Sequence, residues 1–99
     1  MKFYNKTLKI ENANEFVVLL DNQETDQSFL TITIELINPV DNEIKIYFKR
    51  KNEDGEFISE LEIKSGTTIL DHLIVIPPNT QYLIQSSVAN TIVSCSYAQ

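Results

Sequence analysis

The feature that most constrains this chain is a short-range alternation of apolar and polar side chains, with a period of two residues. In residues 29–37 the predicted inward set is Leu30, Ile32, Ile34 and Leu36, and the predicted outward set is Thr31, Thr33 and Glu35. No apolar period of 3.6 residues persists beyond about ten residues, as an amphipathic helix requires. The chain also has 13 Ile, 6 Val and 8 Thr, which favour strands. Together these features predict an all-β fold.

Further runs of the same kind follow along the chain. Residues 44–50 alternate with Ile44, Ile46 and Phe48 inward. The Asp54-Gly55 pair separates this run from the next and predicts a β-hairpin. In residues 56–64 the predicted buried side chains are Phe57, Leu61 and Ile63.

The remaining strands are predicted from apolar content rather than from clear alternation. Residues 15–20 are continuously apolar after Glu15, as in a strand covered on both faces, and residues 21–27 are a polar loop. Residues 68–76 form one predicted strand. With only two glycines in the chain, Asn, Asp and Pro must form most turns.

About eight short strands joined by tight turns predict one domain over residues 1–99. Two antiparallel sheets facing each other across one core are the simplest arrangement. The expected fold is therefore an antiparallel β-sandwich, either immunoglobulin-like or jelly-roll-like, with a closed barrel as the alternative.

The charge balance argues against two classes of partner. The net charge is −6 and the pI is about 4.6. An acidic surface repels phosphate backbones and anionic lipids, so neither nucleic acid nor membrane is expected as a partner. No apolar window is long enough to cross a bilayer. Residues 1–6 contain no apolar stretch, so a signal peptide is not expected.

The residue types that carry catalysis are few. Cys95 is the only cysteine, and its neighbours supply no positive charge, so it is predicted to be a small core residue. His72 follows Asp71 directly, and neighbours in a strand point to opposite faces, so Asp71 is not expected to orient its ring. The serines Ser65, Ser86, Ser87 and Ser94 lie in no nucleophile-elbow pattern.

Metal and carboxylate sites are similarly unsupported. One cysteine and one histidine cannot make a zinc site. The oxygen-rich turns at residues 41–43 and 52–56 lack the spacing of a calcium-binding loop. The strand carboxylates Glu35, Glu43, Glu60 and Glu62 could suggest a glycosidase, but the chain has no tryptophan platform for sugars. We therefore expect no enzyme activity, no cofactor and no metal.

A chain without such chemistry is expected to act by contact, and the candidate contact residues are aromatic or basic. They are Lys2, Phe3, Tyr4, Tyr47 and Tyr82, of which the three tyrosines are predicted to face outward. The start of the chain could be an arm that pairs with a neighbour's sheet edge. A first strand in its own sheet is the favoured interpretation.

The last third of the chain resembles a known group of proteins. Residues 73–80, LIVIPPNT, form a strand that runs into a prolyl turn. Residues 81–85, QYLIQ, and 86–94, SSVANTIVS, form the next strand, a corner of small residues and the start of the final strand. This part, residues 68–97, resembles the ends of small β-sandwich virion proteins of tailed bacteriophages. It departs from their pattern after the proline, where Asn79-Thr80 replaces a glycine-rich turn.

The resemblance implies a non-enzymatic structural protein of a phage particle, located in the virion after synthesis in the host cytoplasm. Its partners would be capsid or tail proteins, and it would be present in many copies or as a homo-oligomer. Capsid decoration is the first expectation, and a head–tail or tail component is the second. Two hypotheses outside the phage particle stay open: a carbohydrate- or surface-binding module, with stacking by Tyr47 and Tyr82, and a regulator of a host protein.

Overall fold

The computed structural model describes residues 2–71 and 74–99, and this part of the chain forms nine β-strands and no helix. The strands are β1 (Phe3–Ile10), β2 (Val17–Asn22), β3 (Phe29–Asn38), β4 (Ile44–Asn52), β5 (Gly55–Ile63), β6 (Gly66–Leu70), β7 (Ile74–Ile76), β8 (Thr80–Ser86) and β9 (Thr91–Ala98). Two sheets pack face to face. Sheet I has the order β1-β9-β3-β6, with β7 also paired to β3, and sheet II has the order β2-β8-β4-β5.

The strand order defines the type of sandwich. Strands β6 and β7 pair with successive parts of the same edge of β3, so each sheet is four strands wide. The first strand pairs with the last, and among the described strands β4 and β5 are the one consecutive pair that hydrogen-bonds to each other. This is the order of a jelly roll, one of the two sandwich types predicted. The all-β sandwich is confirmed, and the barrel alternative is wrong because the sheets do not close.

The core lies between the two sheets and consists of the inward residues of the alternating runs. Strand β4 buries Ile44, Ile46 and Phe48, as predicted. The other large buried apolar side chains are Ile10, Leu19, Leu20, Phe29, Ile34, Leu36, Ile63, Ile76, Tyr82, Ile84 and Val93. Burying such side chains is the main stabilising contribution in a domain of this size.

A bulge in β3 reverses the alternation that the sequence predicts for its first half. The register against β9 shifts between Thr31 and Thr33, which adds one residue to β3. Thr31 is consequently fully buried, whereas Leu30 and Ile32 are half-buried, opposite to the prediction. After the bulge, Ile34 and Leu36 are buried as predicted.

A second bulge explains the continuous apolar run before residue 21. Strand β2 is an edge strand, and its register against β8 shifts between Val18 and Leu20. Both Leu19 and Leu20 are therefore buried in the same core, while Val18 is exposed. The prediction of a strand covered on both faces is wrong, and β2 extends to Asn22, which was predicted to lie in a loop.

The predicted single strand over residues 68–76 also differs from the structure. β6 ends at Leu70 and β7 begins at Ile74. Residues 72 and 73, which the prediction placed in this strand, lie outside the described residues.

Asparagine forms the tight turns, as the low glycine content predicts. Asn14, Asn79 and Asn90 have φ angles of 60°, 54° and 69°, in the left-handed region that asparagine tolerates. Each donates its backbone N–H to a distant carbonyl, with N–O distances of 2.7–3.1 Å. The predicted hairpin at Asp54-Gly55 is confirmed, since Asn52 pairs with Gly55 across a two-residue loop.

Candidate functional site

The predicted contact residues at the start of the chain lie on the free edge of sheet I. Lys2 precedes β1 and exchanges two backbone hydrogen bonds of 2.9 Å with Gln99. Phe3 is 72% exposed, and Tyr4 is 38% exposed and stacks on Tyr97. Strand β1 pairs with β9 of its own chain over its whole length, which confirms the interpretation as a strand of its own sheet.

The two other predicted contact residues have different surroundings. Tyr47 lies at an outward position of β4 and is half-buried. Tyr82 was predicted to face outward, and this prediction is wrong, because Tyr82 is 6% exposed and stacks on Phe48 at a centroid distance of 5.4 Å. Strand β8 lies inside sheet II, so its alternate residues point into the core.

Tyr82 instead lines a cleft between β5 and the edge of sheet I. The cleft has a volume of about 440 Å³, and a smaller pocket of about 180 Å³ adjoins it. The described residues that line the two are Phe48, Arg50, Phe57, Ile58, Ser59, Leu61, Leu70, Ile74 and Tyr82. Burial raises the pKa of Tyr82 to about 12, an effect that the Arg50 charge partly offsets. This lining suits contact with an apolar or aromatic group.

Phe57 was predicted to be buried and is 62% exposed. It shares the inward side of β5 with Leu61 and Ile63, but it lies at the mouth of the cleft. The alternation therefore predicts its direction correctly and its burial wrongly.

Cys95 is a potential nucleophile, but its burial makes the thiol unreactive. It is 1% exposed and belongs to the core, which confirms the sequence interpretation. Burial raises the pKa of its thiol to about 11, although Lys6 lowers it in part. Cys95 is therefore a neutral thiol at physiological pH.

The other candidates for chemistry do not converge on one point. His72 lies outside the described residues, so the expectation that Asp71 does not orient its ring stays a prediction. Ser86 is fully buried and shares a 2.7 Å hydrogen bond with Thr91. Glu35 is at an outward position of sheet I, whereas Glu60 and Glu62 are at outward positions of sheet II. Among residues 2–71 and 74–99, no three His, Cys, Asp or Glu side chains are grouped to hold a metal ion.

In the two oxygen-rich turns considered for calcium, side-chain hydrogen bonds hold the turns themselves. The Asn38 side chain donates to the Asn42 carbonyl at 2.7 Å and closes the first turn. The Asn52 side chain accepts from the Asp54 N–H at 2.9 Å in the second.

The outer faces of the two sheets differ strongly in charge. Within the strands of sheet I, the charged side chains at outward positions are Lys9 and Glu35. Within the strands of sheet II they are Asp21, Lys45, Lys49, Lys51, Glu56, Glu60 and Glu62. Ion pairs of 3.4–3.8 Å join Lys45, Lys49 and Lys51 of β4 to Glu56 and Glu60 of β5. Surfaces that contact other proteins contain few charged residues at their centre, and the outer face of sheet I has this composition.

The outer face of sheet I also carries apolar side chains in register, of which Phe3 and Val75 are exposed, Leu30 is half-buried and Ala98 is buried. Phe3 pairs with Ala98, Ala98 with Leu30, and Leu30 with Val75, which makes one uncharged row across the sheet. Phe3 and Val75 are 72% and 47% exposed, and Ile69 in β6 is 58% exposed. We call Phe3, Leu30, Ile69, Val75 and Ala98 the apolar face of sheet I.

Of this apolar face, Phe3 alone was predicted from the sequence as a contact residue. Val75 and Ile69 lie within an Ile- and Leu-rich stretch, in which nearly every position is apolar and the pattern does not mark the outward ones. The missing alternation is itself the signal that could have found them. A strand whose outer face is in water alternates apolar and polar residues, so a strand that is apolar at nearly every position also has apolar residues on its outer face.

The described residues contain no helix long and apolar enough to cross a membrane. Comparisons of the chain with protein-family models, with curated proteins and with solved structures found no match.

Proposed function

We propose that this chain is a non-enzymatic structural protein of a bacteriophage particle, which binds the capsid through the apolar face of sheet I. The observation that carries the proposal is the contrast between the outer face of sheet I, which has Phe3, Ile69 and Val75 exposed and two outward charged residues in its strands, and the face of sheet II, which has seven. An exposed sheet face with few charges is suited to docking on another protein.

Two further observations support the same proposal. Jelly rolls occur in viral capsid proteins, which is an analogy at the level of the fold. The resemblance of residues 68–97 to small phage virion proteins points the same way. In this region, the corner of small residues is held by the Ser86 hydroxyl, which bonds Thr91 at 2.7 Å and accepts from the Val88 N–H at 3.2 Å.

Mass spectrometry of purified phage particles from the source tests the proposal. The chain is expected in many copies, migrating with intact particles in a density gradient. Separate analysis of isolated heads and tails distinguishes capsid decoration from a head–tail or tail component. Absence from the particles would overturn the proposal.

Rebinding to particles stripped of the protein tests the surface. Val75→Lys is expected to weaken binding about tenfold or more, because it places a charge in the apolar row. Val18→Lys is the matched control, since Val18 is also an exposed valine, at an outward position of sheet II. Equal loss in both variants would show that the face of sheet I is not the contact.

A carbohydrate-binding module is the second candidate, and the cleft is the observation that favours it. Phe57 is an exposed aromatic ring at the mouth of the cleft, with Arg50 and Ser59 beside it. Aromatic rings with adjacent polar groups bind sugars, and lectins include jelly rolls. A glycan array on which the wild-type chain binds and Phe57→Ala does not would support this candidate, and an array without binding would discard it.

A further inference from the structure

The sandwich has two long sheet edges without a bulge, one on each sheet. At the free edges, β2 is bulged, β6 has five residues and β7 has three. By contrast, β1 has eight residues in continuous register with β9, and β5 has nine residues in continuous register with β4. Long regular edges present unpaired backbone groups that can extend a sheet into another chain.

The two long edges have opposite charge. Strand β1 contains Lys6 and Lys9 and no acidic residue, and Lys2 precedes it. Strand β5 contains Glu56, Glu60 and Glu62 and no basic residue. Like charges on directly opposed strands are destabilising, so β1–β1 and β5–β5 pairing between copies are both disfavoured. The same charges favour β1 beside β5.

Each long edge also exposes large apolar side chains. Phe3 on β1 is 72% exposed, and Phe57 and Ile58 on β5 are 62% and 59% exposed. Glu60 pairs with Lys45, and Glu56 pairs with Lys51 and with the mostly covered Lys49. The Lys45–Glu60 and Lys51–Glu56 pairs are solvent-exposed and contribute little, so they do not prevent these glutamates from contacting another chain.

The two edges lie on opposite sides of the molecule. The cleft brings β5 close to Leu70 and Ile74 of β6 and β7, while β1 is at the other end of sheet I. We propose that copies of this chain associate head to tail, the free edge of β1 in one copy pairing with the free edge of β5 in the next. Such an interface joins two different surfaces and produces a ring or an open chain of copies.

This inference goes beyond the proposed function, because it concerns contacts between copies and uses the free edges of β1 and β5, which share only Phe3 with the apolar face of sheet I. Sedimentation velocity of the wild-type chain over a range of concentrations is the first test. Species larger than dimers are expected, and raising the salt from about 0.05 M to about 0.5 M should weaken the association about tenfold. A wild-type chain that stays monomeric, or that stops at a dimer of identical edges, overturns the proposal.

Two variants that each block one edge make the test specific. Ile58→Lys places a lysine on the edge of β5, and Lys6→Glu with Lys9→Glu reverses the charge of β1. Each variant alone is expected to be monomeric. Mixed together they are expected to form a one-to-one dimer and nothing larger, because one supplies an intact β1 and the other an intact β5.

The control for these variants is Ile69→Lys. Ile69 is as exposed as Ile58, at 58% and 59%, but it lies in β6 on the outer face of sheet I. It should self-associate like the wild type and lose binding to particles, so the two proposals fail separately. Circular dichroism verifies that each variant is folded, and a mixture of folded edge variants that remains monomeric contradicts head-to-tail pairing.

Discussion

Single polar side chains hold together segments that are distant in the sequence. Asn22 is fully buried, and its amide donates to the carbonyls of Gln27, Ile76 and Pro77 at 2.9–3.0 Å. Its side-chain oxygen accepts from the Glu24 N–H at 3.1 Å. A buried polar group is tolerated only when it is bonded in this way, so Asn22 connects β2, the following loop and the end of β7.

Replacing Asn22 with alanine should lower the free energy of unfolding by about 2–4 kcal/mol, because buried carbonyls lose their donor. Urea denaturation measures this loss. Gln23→Ala, at the exposed neighbouring position, serves as the control and should change stability by less than about 0.5 kcal/mol. Equal stabilities of the two variants would contradict the role assigned to Asn22.

Burial of Tyr82 and Cys95 makes stability depend on alkaline pH. The folded pKa of Tyr82 is about 12 and that of Cys95 is about 11, both above their ordinary values of 10.0 and 9.0. As the pH rises through this range, the unfolded chain loses these protons before the folded chain does. The stabilisation from the buried neutral forms of Tyr82 and Cys95 is therefore complete below their ordinary pKa values, and it is lost as the pH rises to their pKa values in the folded chain.

From pH 10 to 12, Tyr82 alone should account for a loss of about 2 kcal/mol in the free energy of unfolding. Tyr82→Phe keeps the ring that stacks on Phe48 and removes the ionisable hydroxyl. Its stability should fall less steeply than that of the wild type over this range, as measured by urea denaturation at several pH values. Parallel pH profiles for the two proteins would be inconsistent with this assignment.

At the scale of the elements, turns and bulges decide how each strand presents its side chains. The bulges in β2 and β3 move Leu20 and Thr31 into the core. Thr31 then exchanges hydrogen bonds of 3.0 and 3.1 Å with the backbone of Ile74 and joins β3 to β7. The turn before β9 depends on Asn90, which has a φ of 69° and donates its N–H to the Ile10 carbonyl at 2.7 Å.

Asn90 provides a test of the backbone requirement of this turn. Asn90→Ala should lower the free energy of unfolding by about 1–2 kcal/mol, since alanine is strained in the left-handed region. Asn90→Gly should stay within about 0.5 kcal/mol of the wild type, because glycine adopts this φ freely. Thermal and urea denaturation of the two variants measure these changes. If the glycine variant is as unstable as the alanine variant, the loss of stability comes from the asparagine side chain and not from the backbone conformation.

For the whole molecule, the jelly-roll order makes most strand pairs non-local. Strand β1 pairs with β9 and β2 pairs with β8, so the two ends of the chain must meet before either sheet is complete. Closing such long loops costs entropy before any pairing compensates it. The two outer faces, one rich in charged residues and one with few, are complete only after this assembly.

Refolding should therefore be slow for a chain of this length, in the range of about a millisecond to seconds, as in other folds dominated by non-local pairs. Stopped-flow dilution from urea, followed by tyrosine fluorescence, measures the rate. Complete refolding within microseconds would show that local pairs such as the β4–β5 hairpin dominate the transition state.

The sequence by itself determined the β class, most strand positions and the inward residues of β4, and it favoured a sandwich over a closed barrel. It did so because side-chain direction in a strand depends only on local alternation. It also determined the Asp54-Gly55 hairpin and the use of asparagine in turns, since turn conformation depends on the residues within the turn.

Only the tertiary structure decided which strands became neighbours, and with that where bulges fall, which aromatic rings are covered and which face lacks charge. Tyr82 and Phe57 have similar local patterns, yet Tyr82 lies inside sheet II and Phe57 lies at its edge. Exposure depends on what packs above a side chain, and the packing partners come from segments far away in the sequence. The row from Phe3 to Val75 exists for the same reason, because registry between distant strands aligns its four members.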